Sequence, residues 1–482
     1  MTRRWKRRLT AASLLLVSAG AILVPTLWYK VYREVPQVFG SADEKWKYGS
    51  LGGEADRGIP YWIWVVMPRM FGDKLPGPGG WKSFGLAWEE GAELPIGFSL
   101  KTVGFPRITN NCALCHTSGY RTKPDEVPTY VAAGGSQTIN IGGLLRFFSE
   151  AAADPRFNAD TILGEIDLVH ELDVVDRLLY RFAIIPMIRE KLLEQGKQLA
   201  WIDAPDRPDW GPGRDDPFNL LKYHMTSVPV DRSVAPTDFP AIWSLKSREG
   251  RPLNTAGETP GIRSVVIDSA IGVGCGPAGG KFEKMVSEIA SFVSNAPAPT
   301  WPYREGEHAL KPELGSAGAK IYLARCAECH EPGAAKTGMP ADMAELGTDR
   351  ERLDSWTQAA ADQFNEVMKK NGYDRPPVVK TQAYIAPTLE GVWLRAPYLH
   401  NGSVANMREL LTAPDARRKE FYRGYDVYDA ANLGFVIEGL EAKRVGFRFD
   451  ASLKGNSNAG HGYGTDLAEG QKTALLEFLK TK

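Results

Sequence analysis

Two short segments constrain this chain more than anything else in it: NCALCHTSGY (Asn111–Tyr120) and RCAECHEP (Arg325–Pro332) repeat the pattern Cys-x-x-Cys-His. The spacing is the signature of covalent haem c attachment. Two thiols one helical turn apart add to the vinyl groups of a porphyrin, and the adjoining imidazole is held beneath it to bind iron. A redox dithiol gives no reason for a histidine in both copies, and a zinc site needs further clustered Cys or His beside each pair. Four of the five cysteines, Cys112, Cys115, Cys326 and Cys329, are thereby accounted for, with His116 and His330 as the first iron ligands of two covalently bound haems. Cys275, in GVGCGPAGG, is left over and reads as a small residue buried in a Gly-rich turn.

A chain of 482 residues with 43% hydrophobic and 24% charged side chains is long enough for two or more folded domains. Its 58 Lys and Arg balance 58 Asp and Glu, and five of the cations (Arg3, Arg4, Lys6, Arg7, Arg8) stand in the first eight residues. The remainder is mildly acidic, without the clustered basic face of a nucleic-acid partner. The uncharged run LTAASLLLVSAGAILVPTLWY (9–29) follows the basic tail (1–8) and predicts a transmembrane helix with its cationic end in the cytoplasm. The corresponding placement is single-pass in a bacterial inner membrane with the soluble domains in the periplasm; the alternative is export after signal cleavage near Val17 and Ala19.

The predicted fold is mainly α: two cytochrome c-type haem domains with long loops, preceded by that transmembrane helix. An ordered extension rich in Gly, Pro and aromatics occupies 30–103. The N-terminal haem domain spans 104–299, where apolar spacing through DLVHELDVVDRLLYRFAIIPMI predicts a helix that includes His170 and breaks near Pro186. His170 reads as a core or polar-face histidine. The Pro-rich APAPTWP marks the boundary, and the C-terminal cytochrome c domain (300–482) has amphipathic helices at GSAGAKIYLARCAECH and LAEGQKTALLEFLK.

The stretch YIAPTLEGVWLRAPYLHNGSVANMRELL (Tyr384–Leu411) resembles the region between second haem and C-terminal helix in the bacterial dihaem cytochrome c peroxidase superfamily. With TDFPAIW (Thr237–Trp243) and GNSNAGHGYGTDL (Gly455–Leu467), it is most similar to the rubber-oxygenase-like dihaem cytochromes. The chain departs from secreted rubber oxygenases in being shorter. The resemblance implies an N-terminal haem with an open position, because the loop after His116 lacks the displaceable histidine of the peroxidases. It implies His461 as distal ligand of the second haem, with His400 as a pocket hydrogen-bonding residue, Phe239 in the oxygen pocket and Trp243 near the haems.

Independently of that likeness, an electron-transfer haem has both axial positions filled and a reactive one keeps a position open. After His116 the next His and Met are His170 and Met187, whereas His330 is followed by His400, Met407 and His461; Met339 is too close along the chain. His461 and His400 are thus the alternatives for the second haem. His224, with Met225 beside it, is the candidate distal residue for the first, and His224 or Glu150 the candidate acid/base. The functional expectation is a peroxidase- or oxygenase-like redox enzyme acting on peroxide, dioxygen or an apolar substrate. Its redox partner is a small cytochrome, a cupredoxin or a quinol-linked membrane complex. The alternative is a pure electron-transfer cytochrome.

Overall fold

The computed structural model describes residues 28–276 and 279–482, together with scattered positions between 13 and 26. Helix makes up 44% of it and strand 11%. The expectation of a transmembrane helix ahead of the haem domains is corrected: among the described residues no helix is long and apolar enough to cross a membrane. The basic tail and most of 9–29 lie outside the described residues. Immediately after that stretch the chain is fastened to the folded body, since Lys30 reaches Asp173 and Asp176 at 2.6 and 2.7 Å and the Val35 amide donates to Thr102 O at 3.0 Å. The single-pass inner-membrane placement is corrected with the transmembrane helix.

The aromatic extension forms part of the first core. Pro60 precedes a helix, Tyr61–Met70, whose Ile63, Trp64, Val66 and Met67 are buried. Trp64 stacks on Trp81 at 4.8 Å, and Trp81 meets Phe147 edge-on at 5.4 Å. Phe147 belongs to the amphipathic helix Ile141–Ala153, started by the Asn140 side chain accepting from Gly143 N. An antiparallel three-stranded sheet of Ile59–Pro60, Phe105–Asn110 and Phe98–Val103 then carries the chain to the first pentad.

The helix predicted across 167–188 is only partly formed. Residues 167–173 are not helical, and His170 lies there, stacked on Trp62 at 3.9 Å. Helical structure starts at Val174, behind an Asp173 cap, and runs to Leu199 without stopping at Pro186. A π-helical turn at Tyr180–Ile184 ends two positions before the proline, and the wider turn accommodates a residue that lacks an N–H and crowds the preceding carbonyls.

In the C-terminal part, the Pro312–Arg325 helix crosses the Glu469–Leu479 helix. The crossing is close because of Gly318, where a Cβ would overlap the Ala474 carbonyl. The hydrophobic cores do not divide at one point in the chain. One core gathers Trp46 and Ala113 with Trp356, Phe364 and Met368; another gathers Tyr120 and Trp243 with Trp393, Tyr428 and Leu475. Buried Arg214 adds a polar tie, donating to Asn401 O at 3.2 Å and Asn456 Oδ1 at 2.8 Å, while Arg423 pairs with Asp238. Residues near both pentads are therefore held in one packed body.

Candidate functional site

At the first pentad, Asn111 is the pivot. Its side chain accepts from the Ala113 amide at 2.9 Å and donates to Lys47 O and Gly49 O, fixing the entry to a 3-10 turn at Cys112–Leu114. Gly97 permits this approach, since a Cβ there would overlap Leu114. The His116 amide donates to Cys112 O at 3.0 Å, bringing both sulfurs and the imidazole to the same wall. The second pentad closes in the same way at the end of the Pro312–Arg325 helix, with the His330 amide donating to Cys326 O at 3.0 Å.

The imidazoles are oriented alike. His116 Nδ1 lies 2.9 Å from Pro240 O, and His330 Nδ1 lies 2.6 Å from Pro387 O. A carbonyl only accepts, so each Nδ1 carries the proton and each Nε2 keeps its lone pair, the arrangement that holds a ligating histidine in place. Burial lowers the pKa of both; at His330 the Pro387 bond opposes this and the charge of Arg395 adds to it. Both pentads line one continuous cavity of 2310 Å³. The donor sets thus fit a thioether-linked porphyrin with a proximal histidine at each position. Sequence reasoning missed the two proline carbonyls, although both prolines stand within the quoted motifs IAPTL and DFPAIW.

The far side of the two positions differs. The ring centre of His461 is 6.3 Å from that of His330. Two imidazoles on opposite sides of one metal ion, each bonded at about 2 Å, have ring centres about 6 Å apart. His461 has φ +49° and follows Gly460 at +80°; its amide donates to Leu346 O at 2.7 Å, and Arg417 donates to the Gly460 and His461 carbonyls. Burial pushes its pKa down to about 4, with the nearby His330 lowering it further, and its Nδ1 is buried without a partner. His400 is engaged otherwise. It stacks on Tyr384 at 4.1 Å, and its Nε2 is 3.0 Å from the Tyr384 hydroxyl, itself 2.9 Å from Asp349 O. Of the methionines weighed, Met407 is buried on the cavity wall, and Met339 lines it near an exposed edge.

Among the described residues, no imidazole is in ring contact with His116. His224 ends the Pro217–Met225 helix and lines the cavity, where burial and then the charge of Arg57 lower its pKa. Met225 and Met187 also line it. Glu150 is exposed and does not. Phe239 lines the cavity one residue before Pro240, so its segment meets the site from the side of the proximal histidine.

Trp243 is buried behind the wall, donating from Nε1 to Glu390 O at 2.8 Å. A Cβ at Gly134 or Gly391 would approach its ring to 2.8 or 2.7 Å. The indole is thereby held between the hairpin following His116 and the segment following Pro387. Cys275 is buried in the core it shares with Trp46 and Trp356 and borders the cavity. Asp215, which no sequence pattern singled out, also lines the cavity; burial and the adjacent Asp216 push it up to about 7 against the opposing charge of Arg352.

A family model described as "RoxA-like, cytochrome c-like" matches residues 383–423, the segment that contains Pro387, Arg395 and His400. The uncharacterized protein y4iJ of Sinorhizobium fredii (strain NBRC 101917 / NGR234) is 24% identical, the alignment covering 97% of each chain. The uncharacterized protein y4iM of the same strain is 24% identical over 56% of this chain and 67% of its own length. The chain accordingly contains a RoxA-like cytochrome c domain, with covalently bound haem c as its cofactor.

Proposed function

We propose that this protein is a dihaem cytochrome c of the rubber-oxygenase-like kind, with peroxide or dioxygen reacting at the N-terminal position and the C-terminal position transferring or storing electrons. The observation that carries the reading is the asymmetry between the pentads: His330 faces a second imidazole, and among the described residues none is in ring contact with His116. Bound haem supplies one-electron redox chemistry and, where an axial position is open, a place for peroxide or dioxygen.

The remaining roles belong to the chain. Cys112 and Cys115 with His116, and Cys326 and Cys329 with His330, anchor the two groups, and a cavity more than twice the roughly 1,000 Å³ upper range of ordinary ligand pockets supports that number. His461 would supply the second imidazole for the group held at His330, while His400 is committed to Tyr384. Trp243 joins the surroundings of the two positions through van der Waals contact and its bond to Glu390 O. Trp46, Leu51, Trp64, Phe98 and Phe148 give the cavity an apolar wall that excludes water and suits an apolar substrate. Phe239 shapes that wall, and His224 and Asp215 are titratable groups on it that can hold or release a proton. A peroxidase outcome requires a redox partner delivering two electrons per peroxide, with two protons, to give two waters.

Electronic spectra of oxidised and reduced protein with and without CO test the reading. One high-spin, CO-binding haem beside one low-spin haem is expected. Two low-spin haems indifferent to CO and peroxide would leave a pure electron-transfer cytochrome. Oxygen uptake with polyisoprenoid compounds, against peroxide turnover, separates oxygenase from peroxidase.

A further inference from the structure

Two guanidinium groups on the cavity wall make no direct contact with a carboxylate among the described residues. Arg395 lines the cavity eight residues beyond Pro387 and donates only to backbone, to Thr388 O at 2.7 Å and to Glu390 O. Arg248 lines it five residues beyond Trp243 and donates to Pro252 O at 3.2 Å. The Nε of each is buried without a partner. Glu390 is the carboxylate whose charge acts on both, yet its Oε2 is itself buried and unpartnered. Arg352, on the same wall, differs in being ion-paired: it holds Glu258 at 2.8 Å, although its Nε too is buried without a partner. Among the described residues, neither Arg248 nor Arg395 has such an ion pair.

An arginine partly withdrawn from water without an anion is costly, and its planar fork is matched to a carboxylate. Arg395 stands near both relevant features, since its charge reaches His330 and its guanidinium lies 5.5 Å from the centre of the Trp243 ring. We infer that Arg248 and Arg395 form a carboxylate clamp for the propionates of the haem held by Cys326, Cys329 and His330. The clamp neutralises the pair and fixes the porphyrin edge beside Trp243. By charge alone it also favours the reduced over the oxidised iron, because a retained cation opposes the added positive charge of oxidation.

The inference rests on haem at the second pentad, which is checked separately by the mass of the proteolytic peptide containing Cys326–His330; a peptide without haem would overturn that reading and the clamp with it, whereas a haem-bearing peptide with unchanged midpoints would overturn the clamp alone. The clamp is tested in the holoprotein by Arg395→Gln, Arg248→Gln and Arg395→Lys, following haem content by pyridine haemochrome and the midpoint potential of the low-spin haem by spectroelectrochemistry. Each Gln variant should lower the midpoint, the double variant more, and Lys should remain nearer the wild type. Unchanged midpoints at full haem content overturn the proposal. If Arg395→Gln does not accumulate, Arg248→Gln decides alone, and an unchanged midpoint there has the same force.

Discussion

His330 and His461 face each other across the cavity with ring centres 6.3 Å apart, and the Nδ1 of His330 is tied back to Pro387 O at 2.6 Å. One imidazole is thus oriented by a backbone carbonyl and the other by a left-handed turn that Arg417 clamps from behind. His461→Gly should convert the low-spin haem to high spin, with added imidazole restoring the original spectrum. His400→Ala should leave it low-spin. The opposite pattern would transfer the ligand assignment to His400.

Trp243 separates packing from electronic function. Trp243→Ala opens a void in the core it shares with Trp393 and Tyr428 and should cost about 3–5 kcal/mol in denaturant unfolding. Trp243→Phe retains most of the apolar contact and loses the bond to Glu390 O, costing about 1 kcal/mol. Electron equilibration between the haems, followed by flash photolysis of CO, should slow in the Phe variant. A rate equal to wild type argues against a role beyond packing.

The pH dependence of stability should carry a mark of Asp215. Its pKa rises from 3.8 to about 7, first through burial and then through Asp216. Between those values the unfolded chain gives up a proton that the folded protein keeps, so the contribution to stability is fullest below the lower value. It declines through the window by up to about 1.4 kcal/mol per pH unit and is level above it. Asp215→Asn removes this slope. Parallel unfolding curves for the two proteins at pH 4.5, 6 and 7.5, differing by a constant, would contradict the expectation.

Gly318 is expected to tolerate nothing larger. Gly318→Ala drives a methyl into the Ala474 carbonyl, and separating the two helices should cost about 1–3 kcal/mol. Because the Pro312–Arg325 helix delivers Cys326, haem attachment at the second pentad should fall with stability, whereas Gly315→Ala on the same helix, where no close contact exists, should leave both near wild type.

What was legible in the sequence was local chemistry. The Cys-x-x-Cys-His pentads, the helix leading to Cys326 and the terminal amphipathic helix depend on residues a few positions apart, and their pattern is written in the order of the chain. The helix expected across 167–188 illustrates the limit, because apolar spacing continued through residues that instead form the turn placing His170 on Trp62. The apolar run at 9–29 illustrates it again: hydropathy alone predicted an anchor, yet among the described residues no helix is long and apolar enough to cross a membrane.

The sequence by itself determined that thiols and imidazoles suited to haem stand at two points, and that His400 and His461 both follow the second. Only the tertiary structure separated those two, because a histidine is defined by what its nitrogens meet: Tyr384 occupies Nε2 of His400, while His461 is turned toward His330. It also brought Pro240 to His116 across 124 positions and Trp243 to Glu390 across 147. Such contacts depend on how separate segments pack into shared cores, a relationship with no local periodicity from which it can be read.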